Sequence, residues 1–153
     1  MVRGMVTLYA PASGRISIHD SFGLTEEEAA RGVYHLGEGI TGRVVETGEP
    51  FVAPRIADAP EFLNRTQSLG KPAELRRSFV CVPIRRGRKV MGTIAGERRY
   101  DSSELLKLDV EILSILSAAA AQAVELYQLE NVEKIALQDE NQRLRSELKQ
   151  DRK

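Results

Sequence analysis

Residues 4–10 (Gly-Met-Val-Thr-Leu-Tyr-Ala) and 15–22 (Arg-Ile-Ser-Ile-His-Asp-Ser-Phe) alternate apolar and polar positions with period two, the pattern of half-buried strands. Pro11-Ala12-Ser13-Gly14 lies between them and reads as a turn, so the first unit predicted is a β-hairpin. Thr25-x-x-Glu28 is a capping box that opens a short acidic helix ending near Arg31-Gly32. An extended stretch over 33–36 leads into a second short helix over 40–47, with Ile40, Val44 and Val45 at helical spacing. Gly48 sits where a left-handed C-cap is expected, and Pro50 stops any continuation. Phe51-Val52-Ala53 is a brief strand closed by Pro54.

Residues 55–77 show no sustained periodicity, and a connection this long in one domain suggests a binding lid or disorder. Pro60-Glu61-Phe62-Leu63 could form one helical turn within it. A second hairpin follows, Phe79–Ile84 and Val90–Gly96 about a turn at Arg86-Gly87-Arg88. Its first strand is apolar on both faces, which predicts a strand covered on both sides. Pro83 makes the last residues of that strand irregular.

From Ser103 to about Gln150 the chain has no Pro and no Gly and is rich in helix formers. This predicts one helix of roughly 70 Å. Its near half, Leu105 to Leu116, is apolar nearly all round and should be buried on more than one side, and Ala118–Ala121 permits close helix packing. In the far half Leu137, Asn141, Leu144 and Leu148 follow heptad spacing. An Asn in the seam would fix register in a dimeric coil. Extended backwards, the seam meets Glu130 and Lys134, so a shift in phase is expected near 128–134.

Composition narrows the chemistry. The 153 residues are 42% hydrophobic and carry 22 Lys plus Arg against 22 Asp plus Glu, enough for one core and no case for nucleic-acid binding from net charge. Charge is uneven, however: residues 78–99 hold six cations and one carboxylate, a basic stretch between acidic ends. One cysteine, Cys81, excludes an internal disulfide and reads as a buried core thiol. No signal-peptide pattern and no apolar run of transmembrane length is expected, which points to the cytoplasm. His19 and His35 have no cysteine or carboxylate at ligand spacing, so neither metal site nor catalytic constellation is predicted. The spacing Gly37-x-Gly39-x-x-Gly42 matches the dinucleotide fingerprint, yet the helix ends at Gly48, too soon for a crossover. The glycines read as backbone hinges.

Leu36-Gly37-Glu38-Gly39-Ile40-Thr41-Gly42-Arg43-Val44-Val45-Glu46-Thr47-Gly48-Glu49-Pro50 resembles the GxGxxGxVxxTGxP segment of GAF domains, and Ser78-Phe79-Val80-Cys81-Val82-Pro83-Ile84 is similar to their SxxxVPI strand. With Asp58 to Thr66 and the tail Glu140 to Arg145, the resemblance is to the regulatory GAF domain of NifA-type sigma-54-dependent activators. It implies an α+β fold: a PAS-like antiparallel sheet of five to six strands flanked by helices, with a long C-terminal helix extending as a coiled coil. Residues 1–125 would be the sensory domain, its usual N-terminal helix missing or truncated. Residues 126–153 would be a coiled-coil linker towards an AAA+ domain and a DNA-binding domain that this sequence does not contain.

The resemblance also implies a non-enzymatic role, sensing a metabolic effector in a cleft roofed by the 40–47 helix and the 55–77 loop, with 2-oxoglutarate an effector reported for some members. A dicarboxylate calls for guanidinium partners. Candidates are Arg43, Arg55, Arg65 and Arg76 (or its neighbour Arg77), with Thr41, Phe62 and Phe79 as further lining. Leu137, Asn141, Leu144 and Leu148 would hold a homodimer. The other function considered is a docking and dimerisation module with a vestigial pocket, answering to an antagonist or nitrogen-signalling protein, with neither nucleic acid nor membrane as a direct partner.

Overall fold

A six-stranded antiparallel sheet in the order β3-β2-β1-β6-β5-β4 organises the chain. The structure, a computed structural model, describes residues 1–62 and 76–151. The strands are β1 (Arg3–Ala10), β2 (Arg15–Phe22), β3 (Val33–His35), β4 (Phe51–Ala53), β5 (Ser78–Arg86) and β6 (Lys89–Arg98), and the helices are α1 (Glu26–Arg31), α2 (Gly39–Thr47) and α3 (Ser103–Asp151). Both expected hairpins form, and the second is longer at its ends than its apolar run suggested. Pro83 lies inside β5 opposite Thr93, and the register shifts one step later, between Ile84 and Arg85. β4 pairs only with Phe79–Cys81, so no strand flanks Pro83 on that side, a place where a residue without an N–H is tolerated.

Strand parity sorts the core into two layers. Met5 on β1, Phe79 and Cys81 on β5, and Ala95 on β6 face α2, where they pack with Ile40 and Val44. Thr7 and Thr93 are buried in the same layer and join their hydroxyls at 2.7 Å across β1 and β6. Val80, Val82 and Ile94 point the other way and meet Leu106, Val110 and Leu113 of α3. Residues 79–84 are therefore buried on both faces, as their unbroken apolar run requires. Cys81 sits within the α2-facing layer, and burial pushes its thiol up to about 12.

The short helices follow their caps. The Thr25 hydroxyl accepts from the Glu28 N–H at 3.1 Å, and the Glu28 carboxylate accepts from the Thr25 N–H at 2.9 Å. That backbone bond holds the Glu28 carboxyl below its usual range. α2 ends at Gly48, whose φ of 71° allows its N–H to close on the Val44 carbonyl at 2.8 Å.

α3 differs from expectation in its near half. Leu106, Asp109, Leu113, Ser117 and Ala121 are buried along one face, the spacing of a single stripe. Leu108, Ile112, Ile115 and Leu116 are 46–68% exposed, so the segment is not covered on several sides by its own fold. Apolar residues all round a helix show how much surface wants burial, not whether the chain itself supplies the cover. One 18-residue window of α3 also reaches a mean hydropathy of 1.4, long and apolar enough to cross a membrane by length and composition. This corrects the expectation that no run does. Met1–Ala121 and Gln122–Lys153 form two separate compact units. In the second, Leu137, Asn141, Leu144 and Leu148 are all exposed.

Candidate functional site

The site begins with the turn into α2. Gly37 and Gly39 take φ of 80° and 67°, left-handed values that other residues resist. They swing the chain from β3 onto the sheet, and the Gly37 N–H donates to the Gly42 carbonyl at 2.9 Å. Gly42 is buried against the β3 backbone, where a Cβ would collide with the His35 carbonyl and lie 3.1 Å from Gly37 C and N. The glycine spacing thus folds a short helix tightly against a strand end and uses no phosphate to do so.

Beneath α2 is a small enclosed space of about 10 Å³, lined by Met5, Tyr34, Ile40, Thr41, Phe62, Phe79 and Glu97. That volume is near what one water needs, so the cleft is closed in this state. Phe62 meets Phe79 edge to face, with centroids 5.2 Å apart at 74°. The polar residues of its lining are Thr41 on the roof, Glu97 on the floor and Tyr34. Glu97 is 1% exposed. Its Oε2 lies 3.5 Å from Arg3 Nη1 and 3.7 Å from Arg77 Nη1, within ion-pair reach but beyond a good hydrogen bond.

Of the residues expected here, Thr41, Phe62 and Phe79 come together, and Arg77, the alternative to Arg76, lies beside Glu97. Arg43 does not join them. It is exposed, pairs with Glu61 at 3.3 Å and lies 5.4 Å over the Phe51 ring. Arg55 is on the rim of a separate open groove of about 470 Å³. Arg76 is exposed, and Arg65 is outside the described residues.

Arg3, Tyr34 and Glu97 escaped sequence reasoning. For Glu97 a signal existed, because it shares strand parity with Met91, Thr93 and Ala95 and so had to point inward. On the opposite face Arg98 was missed too. Its Nη1 donates to both oxygens of Asp109, at 3.0 and 2.9 Å, tying β6 to α3. The clue was a lone acid in phase with Leu106 and Leu113.

The sequence that folds this way, a sheet with a glycine-hinged helix on one face and a long helix on the other, matches the GAF domain family model across residues 2–124. The chain belongs to the GAF family. It is similar to the nitrogen fixation protein VnfA of Azotobacter vinelandii, 64% identical over 97% of this chain and 28% of the relative. It is also similar to AnfA of the same organism, 52% identical over 98% of this chain and 28% of the relative, and to a Nif-specific regulatory protein of Herbaspirillum seropedicae, 34% identical over 89% and 25%. The similarity to NifA-type regulators implied by the sequence motifs is therefore present, although the chain spans under a third of each of these relatives. Among solved structures, a GAF domain of A. aeolicus nlh2 in an inactive state shares the fold with a TM-score of 0.69 at 20% identity, over 82% of this chain and 75% of that one. A free methionine-R-sulfoxide reductase from Neisseria meningitidis does so with a TM-score of 0.62 at 14% identity, over 82% and 70%.

Proposed function

We propose that this GAF domain is the small-molecule-sensing and dimerisation domain of a NifA-like sigma-54-dependent activator of nitrogen-fixation genes, working in the cytoplasm and controlling an attached AAA+ ATPase. The observation that carries the reading is the buried Glu97 carboxylate on the floor of the cleft beneath α2, with the guanidiniums of Arg3 and Arg77 beside it, in a chain similar to nitrogen-fixation regulators. The domain acts by binding, not by catalysis. Thiol chemistry of the kind a reductase could use needs an accessible thiolate, whereas Cys81 is buried with its pKa pushed up to about 12.

The effector is 2-oxoglutarate or a similar dicarboxylate. Arg43, Arg55 and Arg76 stand outside the cleft, so Arg3 and Arg77 are the described guanidiniums that could receive a carboxylate there, in competition with Glu97. Entry requires the cleft to open well beyond the volume of one water. A ligand that binds only the folded state at a hundred times its Kd adds about 2.7 kcal/mol of stability, a rise in Tm of roughly 5–10 °C for a chain of this size. We expect that rise with millimolar 2-oxoglutarate, and expect Thr41→Val to reduce it. An unchanged melt would instead favour the docking module with a vestigial pocket, the reading that the very small cleft supports, in which an antagonist or nitrogen-signalling protein is the effector.

Homodimerisation runs through α3. Leu108, Ile112, Ile115 and Leu116 form an exposed apolar band on the side of the helix away from the sheet, and such a band wants a partner. In the unit from Gln122 onward, Leu137, Leu144 and Leu148 are exposed at heptad spacing with Asn141 among them. Sedimentation equilibrium should give a dimer. Ile112→Glu with Ile115→Glu should shift it to monomer while leaving the sheet folded, because both side chains already face solvent within one chain. Monomer at all concentrations in the parent protein would end the dimer proposal.

A further inference from the structure

We propose that the tip of the β5–β6 hairpin and the groove beside it form a docking surface for an acidic, leucine-bearing segment of another protein. Arg85, Arg86, Arg88 and Lys89 put four cations around the turn at Gly87, and all are exposed. Arg85 donates to the Gly48 carbonyl at 3.1 Å, which moors the tip to the end of α2. Among the described residues no carboxylate pairs with Arg85, Arg88 or Lys89. Charges left without internal counter-ions at a fixed hairpin raise the local potential and draw acidic partners to one place.

The groove supplies the second half of the recognition. It has a volume of about 440 Å³ and includes Tyr9, Val45 and Val90, which belong to the cluster built on Ile16 and Tyr34. Leu36 borders it and is 47% exposed. An apolar floor beside a cationic rim fits a peptide that alternates carboxylates with an aliphatic anchor. The same floor is of no use to a phosphate backbone, which has no apolar side chain to place on it. Its volume of about 440 Å³ exceeds what a small anion would fill. Thr47 and Gly48 also border the groove, so a segment docked there touches the end of the helix that roofs the cleft. The surface does not depend on the cleft holding an effector.

Fluorescence anisotropy on the full chain tests it, with a fluorescein-labelled peptide of repeated Glu-Leu-Asp. Binding is expected near 10 µM, roughly, at low salt. Arg88→Glu with Lys89→Glu should weaken it at least about tenfold. Leu36→Ser should weaken it about threefold, the size of a partial apolar contact, with the salt dependence unchanged. Unaltered melting curves establish that these exposed variants fold. No binding by the parent protein at about 100 µM overturns the proposal. So does an equal loss from Lys107→Glu on α3, equal affinity for a Leu-free Glu/Asp peptide, or equal affinity for an RNA oligonucleotide.

Discussion

Gly42→Ala should lower the stability of the domain by about 2 kcal/mol, seen as a drop in Tm of roughly 4–8 °C. Alanine would ordinarily help a helix, by about 1 kcal/mol over glycine. Here the new Cβ runs into the His35 carbonyl and comes within 3.1 Å of the Gly37 backbone. Both obstacles are main chain, so no side chain can rotate away, and α2 has to rise off β3. That movement loosens Ile40 and Val44, which are 2% and 0% exposed in the layer above Met5, Phe79 and Cys81. Gly14→Ala is the control. Unlike helical Gly42 it has positive φ, 70°, and nothing lies within 4 Å of its Cβ, so only backbone strain of about 1 kcal/mol is expected. If Gly42→Ala melts with the parent protein, the close approach is not what requires glycine, and a ligand contact becomes the better explanation.

The same glycines show how far the sequence could be read. Their spacing, with Gly48 and Pro50 behind it, located α2 to within a residue and gave the family, because backbone geometry demands particular residues at particular offsets. Strand alternation located the first hairpin, and an unbroken apolar run with a glycine turn behind it located the second. What failed was the destination of side chains. The charge of Arg43 and its place on the roof helix point to the cleft, yet Glu61 and the Phe51 ring draw it outward. Glu97 was overlooked although parity alone turns it inward, since a carboxylate in an apolar cleft looks unfavourable until Arg3 and Arg77 are seen across strands. Nothing local in sequence pairs residue 3 with residue 97. The apolar near half of α3 was overread, because composition cannot say which of two faces meets the sheet.

Asp109→Ala should cost about 2–4 kcal/mol, the second large effect. Arg98 gives both oxygens of Asp109 a hydrogen bond, at 3.0 and 2.9 Å, and the two side chains are only 25% and 11% exposed. Removing one member of a fully buried pair costs about 3–5 kcal/mol, since the survivor keeps its charge without a partner; partial exposure of Arg98 lowers that figure. The pair itself contributes far less than its rupture. Arg98→Met with Asp109→Leu should therefore recover most of the loss. Denaturant unfolding with an unchanged m-value would measure all three. A loss under about 0.5 kcal/mol for Asp109→Ala would reduce the contact to an ordinary surface ion pair. Its position makes a further demand. Glu97 and Arg98 are successive residues of β6, so one points into the cleft layer and the other to α3. A shift of the β6 backbone at Glu97 necessarily carries Arg98 with it. Glu97→Gln and Asp109→Asn should then be non-additive by about 0.5 kcal/mol or more, although their side chains lie on opposite faces of the sheet. Strict additivity would mean that the strand end absorbs the movement, and that a cleft ligand must reach α3 by another route.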